Sequence, residues 1–184
     1  MQKILLAVFT AVLFSCNNEE KKEANTATTA STVAELSPSA PYKATYSSKF
    51  EMGDIKHAET ILALWKAWDD GNLSTTNNLF ADSMHMYIRD GSVMDGRRDS
   101  ITAGAQSFRD MFTTVKSTVH AIFPVRSTDK NEDWVCIWGT EVSTDKKGKI
   151  DSVDLQETWR FNKDGKVDML LQYGRALTPP PAMK

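Results

Sequence analysis

Ser152-Val153-Asp154-Leu155-Gln156-Glu157-Thr158-Trp159-Arg160-Phe161-Asn162 alternates apolar and polar residues along its whole length. A period of two is the pattern of a strand with one buried face. Val153, Leu155, Trp159 and Phe161 take one face, and Asp154, Gln156, Thr158 and Arg160 take the other. Glu157 breaks the rule by setting a carboxyl on the face that should be dry, where a charge is strongly unfavourable unless paired or neutralised. Downstream, Lys163-Asp164-Gly165 is a turn, and Lys166–Tyr173 reads as a strand in which Val167, Met169, Leu171 and Tyr173 alternate with Asp168, Leu170 and Gln172. Upstream, Asp145-Lys146-Lys147-Gly148 and Asp129-Lys130-Asn131 separate two further predicted strands, Trp134–Ser143 and Thr118–Ser127. Four strands on short loops predict an antiparallel meander. The stretch around Trp134, Cys136 and Trp138 is apolar on both faces, as expected where a second surface such as a dimer partner covers the sheet.

Helical periodicity comes before the strands. Ala58, Ile61, Leu62, Trp65 and Trp68 recur at the spacing of one helix face, with Asp54 as the predicted N-cap and Gly71 as the stop. Asn72–Phe80 predicts a second, short helix, and Ser83–Arg89 reads as extended. Asp90-Gly91 and Asp95-Gly96 read as turns. A third helix is predicted from about Ser100 to Lys116, with Asp99 as its N-cap and Ile101, Ala105, Phe108, Met111, Phe112 and Val115 as its stripe. Helices first and strands last indicate an α+β fold with the helices on one face of the sheet.

The chain has 184 residues, of which 41% are hydrophobic and 25% charged, which predicts one globular domain with appendages. Twenty-two basic and 24 acidic residues leave a net charge of −2, so no electrostatic footprint for nucleic acid exists. Two cysteines make neither a disulfide scaffold nor a zinc site alone, and Cys136 reads as an inert thiol in an apolar strand. His57, His85 and His120 are scattered without metal-ligand spacing, and no phosphate-binding loop, nucleophile elbow or dinucleotide fingerprint is present. No metal and no cofactor are expected.

The amino terminus reads as an address. Met1-Gln2-Lys3 carries one positive charge, and Ile4–Phe14 is an apolar run broken only by Thr10. Eleven residues are too few for the roughly 30 Å hydrocarbon core and have the length of a signal-peptide apolar region. The run ends at Leu13-Phe14-Ser15-Cys16, which resembles a bacterial lipobox. That resemblance implies cleavage after Ser15, lipidation of Cys16 and anchorage to the lipid bilayer of the cell envelope, on the outer membrane. Glu19-Glu20 resembles the surface-export signals of lipoproteins in Bacteroidota-type bacteria and fits the start of a solvated linker equally well. The expected organisation is a signal peptide over 1–15, a disordered tether over 16–50, a folded domain over 51–175 and a Pro-rich tail over 176–184.

The order of these segments resembles the NTF2-like superfamily, with its SnoaL-like and ketosteroid-isomerase-like branches. The matching text is Trp68-Asp69-Asp70-Gly71-Asn72-Leu73, then Leu79-Phe80-Ala81-Asp82, then Gly96 before a helix, then Trp159-Arg160-Phe161-Asn162 running through Gly165 to Val167. The resemblance implies a cone of three N-terminal helices packed on a curved, mainly antiparallel sheet, with a pocket between the layers. It also implies three functional positions of the steroid isomerases. A helix tyrosine would fall at Leu64, the base at Ile88 and a protonated acid at Glu157, so only the last keeps a carboxyl. Asp90 shares the strand parity of Ile88 but precedes Gly91; His85 is on the opposite face unless the strand is bulged. Glu157, Asp90 and His85 are therefore the candidate acids and bases, and Glu157, Trp65, Trp68, Ile88, Trp159 and Tyr173 the candidate ligand contacts. Glu157 is either a polar anchor in an apolar pocket or an inward carboxylate satisfied by its neighbours. Three readings follow. The first is a lipid-anchored, non-catalytic binder of a small apolar molecule. The second is a homodimerising or partner-docking module. The third is an isomerase, cyclase or hydratase-type enzyme using Glu157.

Overall fold

In the computed structural model residues 37–177 are described; the expected signal peptide, Cys16 and the prolines of the tail lie outside them. Strand β1 (Phe50–Met52) leads into helix α1 (Ile55–Asp70), a 3-10 helix (Leu73–Leu79) and the hairpin of β2 (Phe80–Tyr87) and β3 (Val93–Arg97). Helix α2 (Arg98–Arg109) follows, and then the long strands β4 (Phe112–Ser127), β5 (Glu132–Asp145), β6 (Ile150–Phe161) and β7 (Val167–Ala176). The seven strands form one sheet in the order β1-β4-β5-β6-β7-β2-β3. All pairs are antiparallel except β2 with β7. This is the α+β cone expected from the sequence, with the helical elements on the concave face of a curved sheet.

Helix α1 begins where Asp54 accepts a hydrogen bond from the Lys56 amide at 2.9 Å. It ends at Gly71, whose φ of 72° suits a residue without Cβ, and the Gly71 and Asn72 amides cap the Trp68 and Ala67 carbonyls. Its apolar stripe, Ala58, Ile61, Leu64 and Trp65, is buried against the sheet. Arg109, itself only 6% exposed, completes the cap. Its Nε donates to the Trp68 carbonyl at 2.6 Å and its terminal nitrogens donate to the Asp69 and Phe112 carbonyls at 2.8 and 3.2 Å. A guanidinium at the negative end of a helix is favourable by dipole as well as by hydrogen bonding.

Several boundaries differ from the sequence expectation. The second helix is a 3-10 segment. The third ends at Arg109, and Phe112 and Val115 belong to β4, where they pair with Asp145 and Ser143. The run Thr113-Thr114-Val115 is β-branched, so strand pairing prevails over the apolar spacing. Asp99 lies inside the first turn and Arg97 holds the N-cap position. Asp95-Gly96 is part of β3, with Gly96 at φ 139°, and the actual turn is at Asp90-Gly91. Residues 46–49, placed by the sequence in the tether, are pinned to the sheet. The Thr128 amide donates to the Lys49 carbonyl at 2.9 Å, and Ser47 donates to Asp129 at 2.6 Å. Tyr46 meets Trp134 edge-on at 6.3 Å and donates its hydroxyl to Glu132. Trp134 points to the outer face of the sheet, and this cover, with Arg160 stacked 5.7 Å from its ring, leaves it 8% exposed.

The last strand carries the largest correction. Arg160 pairs with Met169 but Phe161 pairs with Val167, so Asp168 is an extra residue and a β-bulge. Asp168 lies beside Arg160, which donates from Nε at 2.9 Å. Beyond the bulge the parity reverses. Leu170, Gln172 and Gly174 turn inward, and Tyr173 turns out to solvent at 63% exposure.

Candidate functional site

Between the helices and the concave sheet face lies a cavity of about 610 Å³. Leu64 and Trp65 of α1, Met86 and Ile88 at the end of β2, and Phe108 of α2 make its walls apolar. Leu64 and Ile88 are apolar, so neither brings an acid or a base to the cavity. Arg89 and Asp90 stand at the rim on the β2–β3 turn.

Glu157 is at the floor, 4% exposed, in the middle of the inward face of β6. Its Oε2 accepts from Trp65 Nε1 at 2.7 Å and from Trp159 Nε1 at 2.9 Å. Its Oε1 accepts from Gln172 Nε2 at 2.8 Å. Burial pushes the carboxyl's pKa up, and the three N–H donors pull against that rise. Gly139 on β5 makes the arrangement possible: a Cβ there would sit 3.1 Å from the Trp65 ring and 2.2 Å from the Thr118 carbonyl oxygen. The indole therefore lies directly over the strand and reaches Glu157.

A second carboxyl faces the same cavity. Glu141 continues the inward parity of Val135, Ile137 and Gly139 on β5 and accepts from Trp68 Nε1 at 2.7 Å through Oε2. Burial raises its pKa; the Trp68 donor and the Arg89 charge oppose the rise, and the Glu157 and Asp69 carboxylates add to it. Asp69 is held by Ser117, whose amide donates to Oδ2 at 2.9 Å and whose hydroxyl donates to Oδ1 at 2.7 Å. The indole bond is the one hydrogen bond to the Glu141 side chain among the described residues, so Oε1 remains an open acceptor. Glu157 has both oxygens engaged, whereas Glu141 has one to offer.

The structure brings together Glu157, Trp65, Trp68, Ile88 and Trp159 on the cavity wall. It does not bring in His85 or Tyr173. His85 projects from the other face of β2, half exposed, with Nδ1 3.1 Å from Asp95 Oδ1; inward alternation falls on Met84 and Met86. Tyr173 is displaced by the bulge. Asp90 lines the rim as a turn residue, accepting from the Ser92 amide at 2.8 Å, and its hydrogen bonds with Ser92 hold its carboxyl below the usual range. Glu141 and Gln172 are site residues that the sequence reading missed. Carrying the inward parity of β5 two residues past Gly139 finds Glu141; Gln172 required knowledge of the bulge. Among the described residues no three His, Cys, Asp or Glu side chains converge to hold a metal ion.

No family model and no curated protein matches this sequence. Solved structures do match in shape. A SnoaL-like protein of Shewanella denitrificans OS-217, named as a polyketide cyclase, superimposes with a TM-score of 0.55 at 14% identity, covering 66% of this chain and 92% of its own. An NTF2-like protein of unknown function from Exiguobacterium sp. 255-15 gives 0.53 at 16% identity, covering 63% and 98%. A protein of ketosteroid-isomerase-like fold from Catenulispora acidiphila DSM 44928, solved in complex with trimethylamine, gives 0.52 at 20% identity, covering 62% and 84%. The molecule is a cone with an internal cavity, and its fold is the NTF2-like one. That fold hosts many activities, so the site alone has to argue the function.

Proposed function

We propose that this chain is a lipid-anchored envelope protein whose cone binds a small, largely apolar molecule. The observation that carries the reading is the 610 Å³ cavity, apolar in its walls and furnished with one uncommitted carboxylate oxygen, on Glu141. A neighbour of the same fold in complex with trimethylamine supports a small-molecule guest. Anchorage at the outer membrane rests on the Leu13-Phe14-Ser15-Cys16 segment alone. Catalysis by Glu157 with His85 has no geometric support, because the two point to opposite faces of the sheet and both carboxylate oxygens of Glu157 are engaged by Trp65, Trp159 and Gln172. The test is titration of the full chain with N-phenyl-1-naphthylamine, a neutral dye that brightens in apolar surroundings. Saturable binding is expected, and Ala105→Phe, which fills the cavity from α2, should abolish it without lowering the melting temperature. Absence of saturable binding, or binding that Ala105→Phe leaves intact, overturns the proposal.

A second reading, a dimerising or docking module, draws on the outer sheet face. There Trp138 packs edge-on against Phe123 at 5.8 Å, yet Trp138 remains 40% exposed. Light scattering of the full chain separates a monomer from a dimer.

A further inference from the structure

We propose that the cavity's ligand is a protonated amine on an apolar body, its ammonium group seated on Glu141 Oε1 beside the Trp68 indole. The inference rests on the binding reading above and adds the chemical class of the guest. Its basis is the hydrogen-bond inventory of the cavity. An indole N–H can only donate. Three of them reach this cavity, and all three are already given to carboxylates: Trp65 and Trp159 to Glu157, and Trp68 to Glu141. Gln172 gives one of its two amide hydrogens to Glu157. The hydroxyls of Thr76 and Thr102 are turned back to the Leu73 and Arg98 carbonyls at 2.9 and 3.0 Å, and that of Ser117 to Asp69.

What remains open in the interior is mostly acceptor capacity. Glu141 has an unused oxygen, and no Lys, Arg or His forms an ion pair with it among the described residues. A guest bearing a carboxylate would meet Glu141 and Glu157, with Asp69 close behind; the single cation that lines the cavity, Arg89, is exposed at the rim, where its charge acts on Glu141 more strongly than either neighbouring carboxylate but forms no ion pair with it. A guest bearing an ammonium would supply the donors that the interior lacks, and would offset the clustered carboxylates. Aromatic side chains at the same place suit a cation through their negative ring faces. Trp68 and Phe108, stacked with centroids 6.2 Å apart, lie on the wall beside Glu141. Two roles thus fall to two carboxylates: Glu157 ties the helix layer to the sheet, and Glu141 selects the guest.

The test is calorimetric titration of the full chain at neutral pH with three probes of one shape: 2-phenylethylamine, 2-phenylethanol and 3-phenylpropanoate. The amine is expected to bind about tenfold or more tightly than the alcohol, because its hydrogen bond to the carboxylate is charge-assisted on both sides, and the acid weakest of all. Glu141→Gln should cost the amine about tenfold or more and the alcohol, whose hydroxyl can still donate to the amide oxygen, much less. If that variant fails to fold, Glu141→Asp draws the carboxylate back by one methylene and should reduce the amine's advantage in the same way. Equal binding of amine and alcohol, or preference for the acid, overturns this inference and leaves the apolar-binder reading standing. An amine preference that survives in a folded Glu141 variant overturns the assignment to Glu141. Failure of all three probes to bind, together with failure of the neutral dye, overturns both.

Discussion

Trp65 and Glu157 are 92 residues apart in the chain and are joined by a 2.7 Å hydrogen bond from the α1 indole to the β6 carboxylate. Trp159 donates to the same oxygen and Gln172 to the other, so one carboxylate gathers α1, β6 and β7 at a single buried point. Glu157→Gln should fold. The amide oxygen can accept both indoles, and rotation of the Gln172 amide presents an oxygen to the new NH₂. Glu157→Leu leaves three buried N–H groups unpaired and should cost roughly 3 kcal/mol or more, since each stranded donor costs about 1–3 kcal/mol. Urea unfolding of the two variants checks this; equal stability of both would show that the carboxylate clamps nothing.

Glu141 has its own pH signature. Burial, with the Glu157 and Asp69 charges close by, raises its pKa above that of the unfolded chain, against the opposing pull of Trp68 and Arg89. The folded state therefore binds the proton more tightly than the unfolded state does. Stability from this group is full below the unfolded glutamate pKa and is lost as pH rises through the higher folded value. Glu157 shifts in the same direction. The expected outcome is that wild-type melting temperature falls as pH is raised from mildly acidic toward neutral. Glu141→Gln should flatten that slope and melt higher at neutral pH. A slope unchanged in the variant would remove Glu141 from the explanation.

The strand carrying Glu157 was legible because alternation alone decides which side of β6 is inward, and its five inward residues, Val153 through Phe161, are all buried. Capping chemistry likewise located both ends of α1. The end of α2 was not legible, because Met111, Phe112 and Val115 keep a helical spacing while their β-branched neighbours pair with β5. The inward set of β7 was not legible either. One extra residue, Asp168, reverses parity, and it is placed there by a contact with Arg160 on the neighbouring strand. Of the site, Glu157 announced itself by violating a pattern. Glu141 did not, because it follows Gly139 on a strand whose two faces are both apolar at its start. The more conspicuous carboxylate is the one that the protein has already satisfied.

Arg109 is buried with three backbone carbonyls as its partners: Trp68, Asp69 and Phe112. It fixes the end of α1 from which Trp68 reaches Glu141. Arg109→Met keeps much of the stem and removes every donor, so it should destabilise the fold by about 2–4 kcal/mol. It should also loosen the Trp68–Glu141 pair and weaken dye binding in the population that remains folded. Arg109→Lys keeps the charge but lacks the planar fork, and should fall between the two. Unfolding curves and dye titration on the three chains read both effects; a fully stable Arg109→Met would show that water replaces the guanidinium at the helix end.

The proposed envelope address rests on Cys16. An apolar run of eleven residues ending at Leu13-Phe14-Ser15-Cys16 is too short to hold the chain in a bilayer by itself, so the anchorage proposed above would depend on acyl chains at the cysteine. Each acyl chain contributes about 0.8 kcal/mol per buried methylene, and two or more give stable anchorage where one does not. Cys16→Ala should therefore accumulate uncut precursor, lose incorporation of labelled fatty acid and shift the folded domain out of the membrane fraction. The cone begins at Phe50 and the described lining of its cavity runs from Leu64 to Gly174, far along the chain from Cys16, so the variant should bind N-phenyl-1-naphthylamine with unchanged affinity. Fractionation with labelled palmitate reads the first effect and dye titration the second. A membrane-bound pool that survives the substitution would mean that something other than this cysteine holds the protein to the envelope.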